Sequence, residues 1–170
     1  ELLALDKETG NLIWKFPSDD SIDLEGLYGS PAFTEDLIFV GGYGKQFGTL
    51  YAVDSETHQR KWDFASDGHI VGSPVTIKGS VIFGSSSGTV YSVDISSGTE
   101  KWRFQTENKI WSTPTISEDI VFVSSLDKNI YALTLEERKL IWKFETSGAV
   151  ASTPLVVNGV VYIGSFDRHF

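Results

Sequence analysis

Cysteine is absent from the 170 residues, which excludes a disulfide framework, a thiol nucleophile and a cysteine zinc site, though it does not fix the redox compartment. Basic residues are scarce: 14 Lys and Arg stand against 23 Asp and Glu, a formal net charge of −9. Phosphate binding needs clustered cations, so nucleic acid is not an expected partner. No apolar run approaches the roughly 18 residues of a membrane-spanning helix, and no Asn-x-Ser/Thr sequon occurs. No Met and no signal-like segment stands before Glu1, as expected if a targeting signal has been removed. Helical periodicity of apolar residues is missing throughout, which leaves strands as the regular structure.

The chain is instead full of repetition. "ALDKETGNLIW" at 4–14 returns as "AVDSETHQRKW" at 52–62, "SVDISSGTEKW" at 92–102 and "ALTLEERKLIW" at 132–142. Trp14, Trp62, Trp102 and Trp142 are thus separated by 48, 40 and 40 residues. A period near forty marks a repeat architecture. Three further landmarks keep step. A Ser/Thr-Pro ends at Pro31, Pro74, Pro114 and Pro154; an apolar run closes in small residues ("LIFVGG", "VIFGSS", "IVFVSS", "VYIGS"); and "LYAVD", "VYSVD" and "IYALT" follow. One repeat therefore carries four short strands separated by turns.

The turns have physical readings. Asn158-Gly159 is a strong two-residue hairpin signal, since both central residues need φ > 0, and Glu35-Asp36, Lys78-Gly79 and Glu118-Asp119 stand at the matching sites. Asp6 is expected to accept backbone N–H groups across its turn, with Gly10 supplying a left-handed residue. Gly98 matches Gly10, while His58 and Arg138 stand at the other two positions and Thr134 replaces the Asp, so the fourth copy is the weakest. Proline at the head of a strand suits an innermost strand with one unpaired side.

Four strands per forty residues predict an all-β propeller of four-stranded antiparallel blades, one domain over 1–170. The first strand, carrying the Ser/Thr-Pro, is innermost, and the fourth ends at the Trp. Each Trp is expected to be largely buried between neighbouring blades. Burial of roughly 150–250 Å² at about 25 cal/mol per Å² sets an upper bound of about 4–6 kcal/mol for each. The sequence holds three complete blades, a leading half blade and a trailing half blade. Either the halves complete a fourth blade, or the chain is an arc cut from a longer propeller; the arc, or two chains combining into an eight-bladed ring, is the favoured expectation.

The pattern Ala-x-Asp-x-x-x-Gly-x-x-x-Trp is complete at 4–14, lacks only the Ala at 92–102 and the Gly at 52–62, and keeps Ala132 and Trp142 at 132–142. It resembles the tryptophan-docking motif of the quinoprotein, or pyrroloquinoline-quinone-like, propeller repeats, and the resemblance covers essentially the whole chain. The resemblance implies a propeller, usually of eight blades, found in quinone-dependent dehydrogenases, in the non-catalytic lipoprotein of the bacterial outer-membrane barrel-assembly machinery and in sensor domains of some kinases. Fold does not decide among these.

Candidate sites sit on one face. The first repeat is eight residues longer than the others, five between Phe16 and Ser30 and three between Val40 and Tyr51. Both insertions emerge on the same face, where binding tends to reside. The longer one carries Asp19, Asp20, Asp23 and Glu25, candidates for contact with a cationic partner or an ion, or simply a solvated loop. Trp111 and its counterpart Tyr28, three residues before their prolines, are candidates for stacking on a flat ligand at the channel mouth. In the resembling dehydrogenases a Trp lies against the quinone. Filling the channel is the plainer role. Asp127, Asn129 and Asp167 lie in equivalent connections and are candidate calcium ligands or turn formers, without EF-hand spacing. "GGYGKQFGT" at 41–49 lacks a Walker ending and precedes a strand, so it is not a phosphate loop. His58, His69 and His169 show no metal spacing.

No catalytic constellation is visible, and no cofactor is expected. The leading reading is a non-catalytic scaffold for binding protein outside the cytoplasm: periplasmic, cell-surface or secreted. The alternatives are a fragment of a quinone-dependent dehydrogenase, with pyrroloquinoline quinone and calcium, and an extracytoplasmic sensor domain of a receptor or kinase. The dehydrogenase resemblance implies an adjacent cysteine pair and Glu, Asn and Asp calcium ligands; the chain has no Cys and no recognisable ligand set.

Overall fold

A computed structural model of the chain describes residues 1–18, 22, 26–44 and 47–167. Asp19, Asp20, Asp23, Glu25 and His169 lie outside the described residues. All regular structure among the described residues is β. A leading pair, β1 (Leu2–Leu5) and β2 (Leu12–Phe16), is followed by β3 (Gly26–Leu27), β4 (Ala32–Phe33), β5 (Leu37–Tyr43), β6 (Gly48–Asp54) and β7 (Arg60–Ala65). Next come β8 (Val75–Ile77), β9 (Ser80–Gly84), β10 (Thr89–Asp94) and β11 (Glu100–Gln105), then β12 (Thr115–Ser117), β13 (Ile120–Ser124), β14 (Asn129–Thr134) and β15 (Leu140–Glu145). The trailing pair is β16 (Leu155–Val157) and β17 (Val160–Tyr162).

The sheets are ordered β11-β10-β9-β8 and β12-β13-β14-β15, antiparallel meanders with the proline-headed strand at one edge. This is the expected propeller blade. In the first complete blade the innermost strand is divided: β4 pairs with the start of β5, and β3 with its far end at Gly42 and Tyr43. The longer β5–β6 hairpin of that repeat supplies the extra ladder. The leading and trailing pairs are separate two-stranded sheets, so the described chain is an open arc and not a closed four-bladed ring.

Two expectations are corrected. The fourth strand does not end at its tryptophan: Trp62, Trp102 and Trp142 are the third residues of six-residue strands, each with three further residues beyond it. Just before each Trp the register slips by one, with Ala52 facing Trp62 but Val53 facing Arg60, and the same slip at Ser92/Val93, Ala132/Leu133 and Ala4/Leu5. Such a bulge re-aims a side chain. Here it sits directly before the indole, and Trp14, Trp62 and Trp102 land on the next blade.

Nor are all four docking tryptophans buried. Trp102 is 8% exposed, Trp14 and Trp62 are half-buried, and Trp142 is 38% exposed. The cause is what lies in front of each. Trp62 Nε1 donates to Ile95 O at 2.9 Å and Trp102 Nε1 to Leu135 O at 2.8 Å, both in the next blade. Trp14 stacks on His58, ring centroids 4.5 Å apart. Trp142 packs on Phe122 of its own blade, at 5.9 Å.

The seats for these indoles are built as the sequence implies. Asp6, Asp54 and Asp94 each accept the N–H groups two and three residues on. Hydrogen bonds from Ser96 and Ser97 hold the Asp94 carboxyl well below the usual carboxylate range. Four residues after each Asp, or after Thr134, the chain is left-handed: Gly10 (72°), His58 (59°), Gly98 (72°) and Arg138 (51°). Lys78-Gly79 and Asn158-Gly159 also have positive φ at both positions, as expected of their hairpin turns.

The core is a series of layers between blades. Phe16, Val40, Tyr51 and Val53 fill the first layer. Phe39, Leu50, Ile70, Phe83 and Tyr91 fill the second. Ile82, Trp102, Ile110, Tyr131 and Leu133 fill the third. Stability in such a stack comes from contacts between neighbours.

Candidate functional site

The innermost strands are laced together by one repeated hydrogen bond. Ser30 N–H donates to Ser73 Oγ (2.8 Å), Ser73 N–H to Thr113 Oγ1 (2.9 Å) and Thr113 N–H to Thr153 Oγ1 (3.2 Å). This gives the Ser/Thr before Pro74, Pro114 and Pro154 a role that sequence reading missed: its hydroxyl accepts from the preceding blade. The signal was in plain view as an invariant hydroxyl at a forty-residue period. Gly29 and Gly72 mark how closely the blades approach, since a Cβ on Gly72 would lie 2.3 Å from Ser112 O.

Directly before these residues stand Tyr28, Val71, Trp111 and Ala151, at the start of the inner rim. Tyr28 is 68% and Trp111 43% exposed. The two sequence candidates are therefore unburied aromatics at equivalent places two repeats apart. Tyr28 is the end of a row: it meets the Tyr43 ring edge-on at 5.6 Å, and Tyr43 stacks on His69 at 3.7 Å. His69 Nδ1 is shielded from solvent without a partner among the described residues. Phe47, in the lengthened β5–β6 hairpin, is 56% exposed. The Tyr43–His69 stack had no sequence signal, because the end of β5 and the β7–β8 connection meet only in the fold.

Asp127 and Asn129 form a closed network with the neighbouring connection. Asp127 Oδ1 accepts from Asn129 N–H (2.9 Å) and Nδ2 (3.2 Å), and Oδ2 from Glu107 N–H (2.9 Å) and Tyr131 O–H (2.7 Å). Burial alone would raise the Asp127 pKa, but Tyr131 and the Glu107 and Asn129 donors together hold it below the ordinary carboxylate value. Burial, and then Asp127 itself, push the Tyr131 phenol up. One blade earlier Asp67 does the same work from the other side, accepting Ser85 O–H (2.6 Å) and Thr89 O–H. Asp167 occupies the equivalent turn of the trailing pair, its N–H donating to Ser165 Oγ at 3.3 Å.

Calcium takes six to eight oxygen ligands. Among the described residues no group of three or more His, Asp or Glu stands together to hold a metal ion, and both Asp127 oxygens already accept neutral donors. With no Cys anywhere in the chain, the described residues do not fit a calcium-held quinone. What the face offers is flat aromatic surface within a rigid frame, suited to stacking and to burial against another macromolecule.

Comparison with known proteins bears on this face. The family model described as outer membrane protein assembly factor BamB matches residues 1–112 and 88–170. No curated protein matches the sequence. Among solved structures, BamB from Moraxella catarrhalis superposes with a TM-score of 0.76 at 21% identity, over 92% of this chain and 48% of that one. The computationally designed Ika8 protein gives 0.76 at 18% identity, over 96% and 49%. A europium-containing methanol dehydrogenase gives 0.65 at 17% identity, over 74% and 26%. At these identities the likeness shows the fold alone. The chain spans about half the length of the first two structures it matches.

Proposed function

Because this chain belongs to the pyrroloquinoline-quinone-like repeat family described as outer membrane protein assembly factor BamB, we propose that it is a non-catalytic propeller scaffold that binds protein, outside the cytoplasm. The observation that carries this reading is the exposure of Tyr28, Phe47 and Trp111 on the rim and hairpins of a rigid all-β frame. Large aromatics are the anchors of protein interfaces. The name of the family points to proteins of outer-membrane assembly as the first partners to try. The dehydrogenase reading draws support from the methanol dehydrogenase superposition, but the donor set at Asp127 and the lack of Cys weigh against it.

The test is site-specific photo-cross-linking from position 28 in cells. The reading expects a discrete protein adduct, displaced by excess purified chain and not displaced by the Tyr28→Ala/Trp111→Ala chain. An adduct displaced equally by both chains, or no protein adduct, contradicts it.

A further inference from the structure

The second-to-third strand hairpin of the first complete blade is longer than its equivalents. β5 and β6 have seven residues each, whereas β9 and β13 have five. The extra ladder is Gly42 facing Thr49 and Tyr43 facing Gly48, and β3 pairs with the same two residues of β5 from the other side. The base of this hairpin is clamped to the β7–β8 connection. Gly48 N–H donates to Gly68 O at 3.0 Å, and the N–H and O–H of Ser66 both donate to Gly48 O at 2.9 Å. A Cβ at position 48 would lie 2.5 Å from Gly68 O, so the close approach requires glycine. His69 is fixed in turn by the β9–β10 hairpin: its N–H donates to Ser86 Oγ at 2.9 Å, and Ser86 N–H donates to its carbonyl at 2.8 Å.

Rings on this backbone are therefore presented, not free to wander. Tyr43 is held between His69, at 3.7 Å, and the edge of Tyr28, at 5.6 Å. Phe47 accepts Gly44 N–H at its carbonyl and leaves its ring 56% exposed. None of these four side chains belongs to the apolar layers between blades. Aromatic anchors held in advance bind at low cost in entropy.

Charge says what such a row suits. The sequence leading from Pro17 into Tyr28 carries Asp19, Asp20, Asp23 and Glu25 and no Lys or Arg; residues 66–74 carry Asp67 and none; and residues 44–47 add Lys45 alone. Four acids and one more thus stand against a single base. In the repeat that bears Trp111 the matching connections are balanced, Glu107 and Asp127 against Lys109 and Lys128. An exposed ring face in a negative field attracts a cation, and the flat guanidinium of arginine stacks on such a face better than an ammonium does.

Building on the protein-binding reading, we propose that the Tyr28–Tyr43–His69 row and Phe47 seat an arginine-bearing segment of the partner protein, its guanidinium stacked on the exposed ring of Tyr28 or Phe47. Trp111, in the charge-balanced repeat, adds contact area without this selectivity.

The probe is a capped five-residue peptide alternating leucine and arginine. It is compared with its citrulline form, which keeps the shape and loses the charge, and with its glutamate form. The chain has three His, so imidazole NMR reads His69 directly, with His58, stacked on Trp14, as the internal control. The arginine peptide is expected to shift the His69 resonances saturably and to leave those of His58 in place. The citrulline and glutamate forms should shift neither. Raising salt from about 0.05 M to about 0.5 M should weaken the binding, as the screening length contracts. Phe47→Ala and Tyr28→Ala, both at exposed sites, should each weaken it about two- to fivefold, the size of an exposed cation–π contact, with unchanged His58 resonances showing an intact fold. Equal shifts from the arginine and citrulline peptides, or no shift from any of the three, overturn this inference. Photo-cross-linking from position 28 judges protein binding separately: an adduct there without arginine preference leaves that reading standing and removes this one.

Discussion

Trp102 Nε1 donates to the carbonyl of Leu135 at 2.8 Å, across 33 residues and from one blade to the next. The indole is 8% exposed and lies in the layer with Tyr131 and Leu133. Trp102→Ala is expected to destabilise the fold by about 3–5 kcal/mol, the range for large-to-small core changes. Trp102→Phe should cost about 1–3 kcal/mol, chiefly for leaving the Leu135 carbonyl without its donor. Denaturant midpoints at unchanged slope give both values, and a Trp102→Phe midpoint equal to that of the unsubstituted chain would contradict the role assigned to the hydrogen bond.

Gly79 and Gly98 form a controlled pair. Both have φ of 72°, but a Cβ on Gly79 meets nothing within 4 Å while one on Gly98 meets Trp62. Gly79→Ala should cost only the left-handed strain, about 1–2 kcal/mol. Gly98→Ala should cost distinctly more, because the indole must move off its seat. Equal losses in chemical unfolding would show that Trp62 does not depend on this contact.

Much of this was legible in the sequence, because a repeat writes the same constraint several times. The blade, the Asx turn at Asp6 and the left-handed sites at Gly10 and Gly98 followed from spacing and turn chemistry, and the structure repeats the turn at Asp54 and Asp94. His58 and Arg138 hold the same left-handed position, which composition alone disfavours and only alignment to Gly10 discloses. The bulge before each Trp was not readable, since a register slip leaves no mark in residue type. The exposure of Trp142 was missed because the docking motif records the knob and not whether its seat is filled. At the candidate site, the places of Tyr28 and Trp111 followed from their prolines, whereas the Tyr43–His69 stack needed the third dimension.

Asp127 gives the fold a defined acid sensitivity. Its folded pKa lies below the ordinary value, so the charged form is favoured by folding. That contribution is present above the unfolded carboxyl pKa, about 3.9, and is lost as pH falls through the folded value. Stability of the native chain should therefore drop below about pH 4, and the drop should be shallower in Asp127→Asn. Unfolding midpoints followed from pH 7 to pH 3 decide this; parallel curves for the two proteins would remove Asp127 from the account.

The central claim is that the aromatic rim serves binding without quinone chemistry, and titration with pyrroloquinoline quinone in the presence of calcium tests it most directly. Tryptophan fluorescence is the readout, with Trp111→Ala as the control. The account predicts no saturable quenching of the intact chain up to micromolar quinone beyond what the Trp111→Ala chain shows. Saturable quenching at micromolar or tighter affinity that requires both calcium and Trp111 would contradict it and restore the dehydrogenase reading.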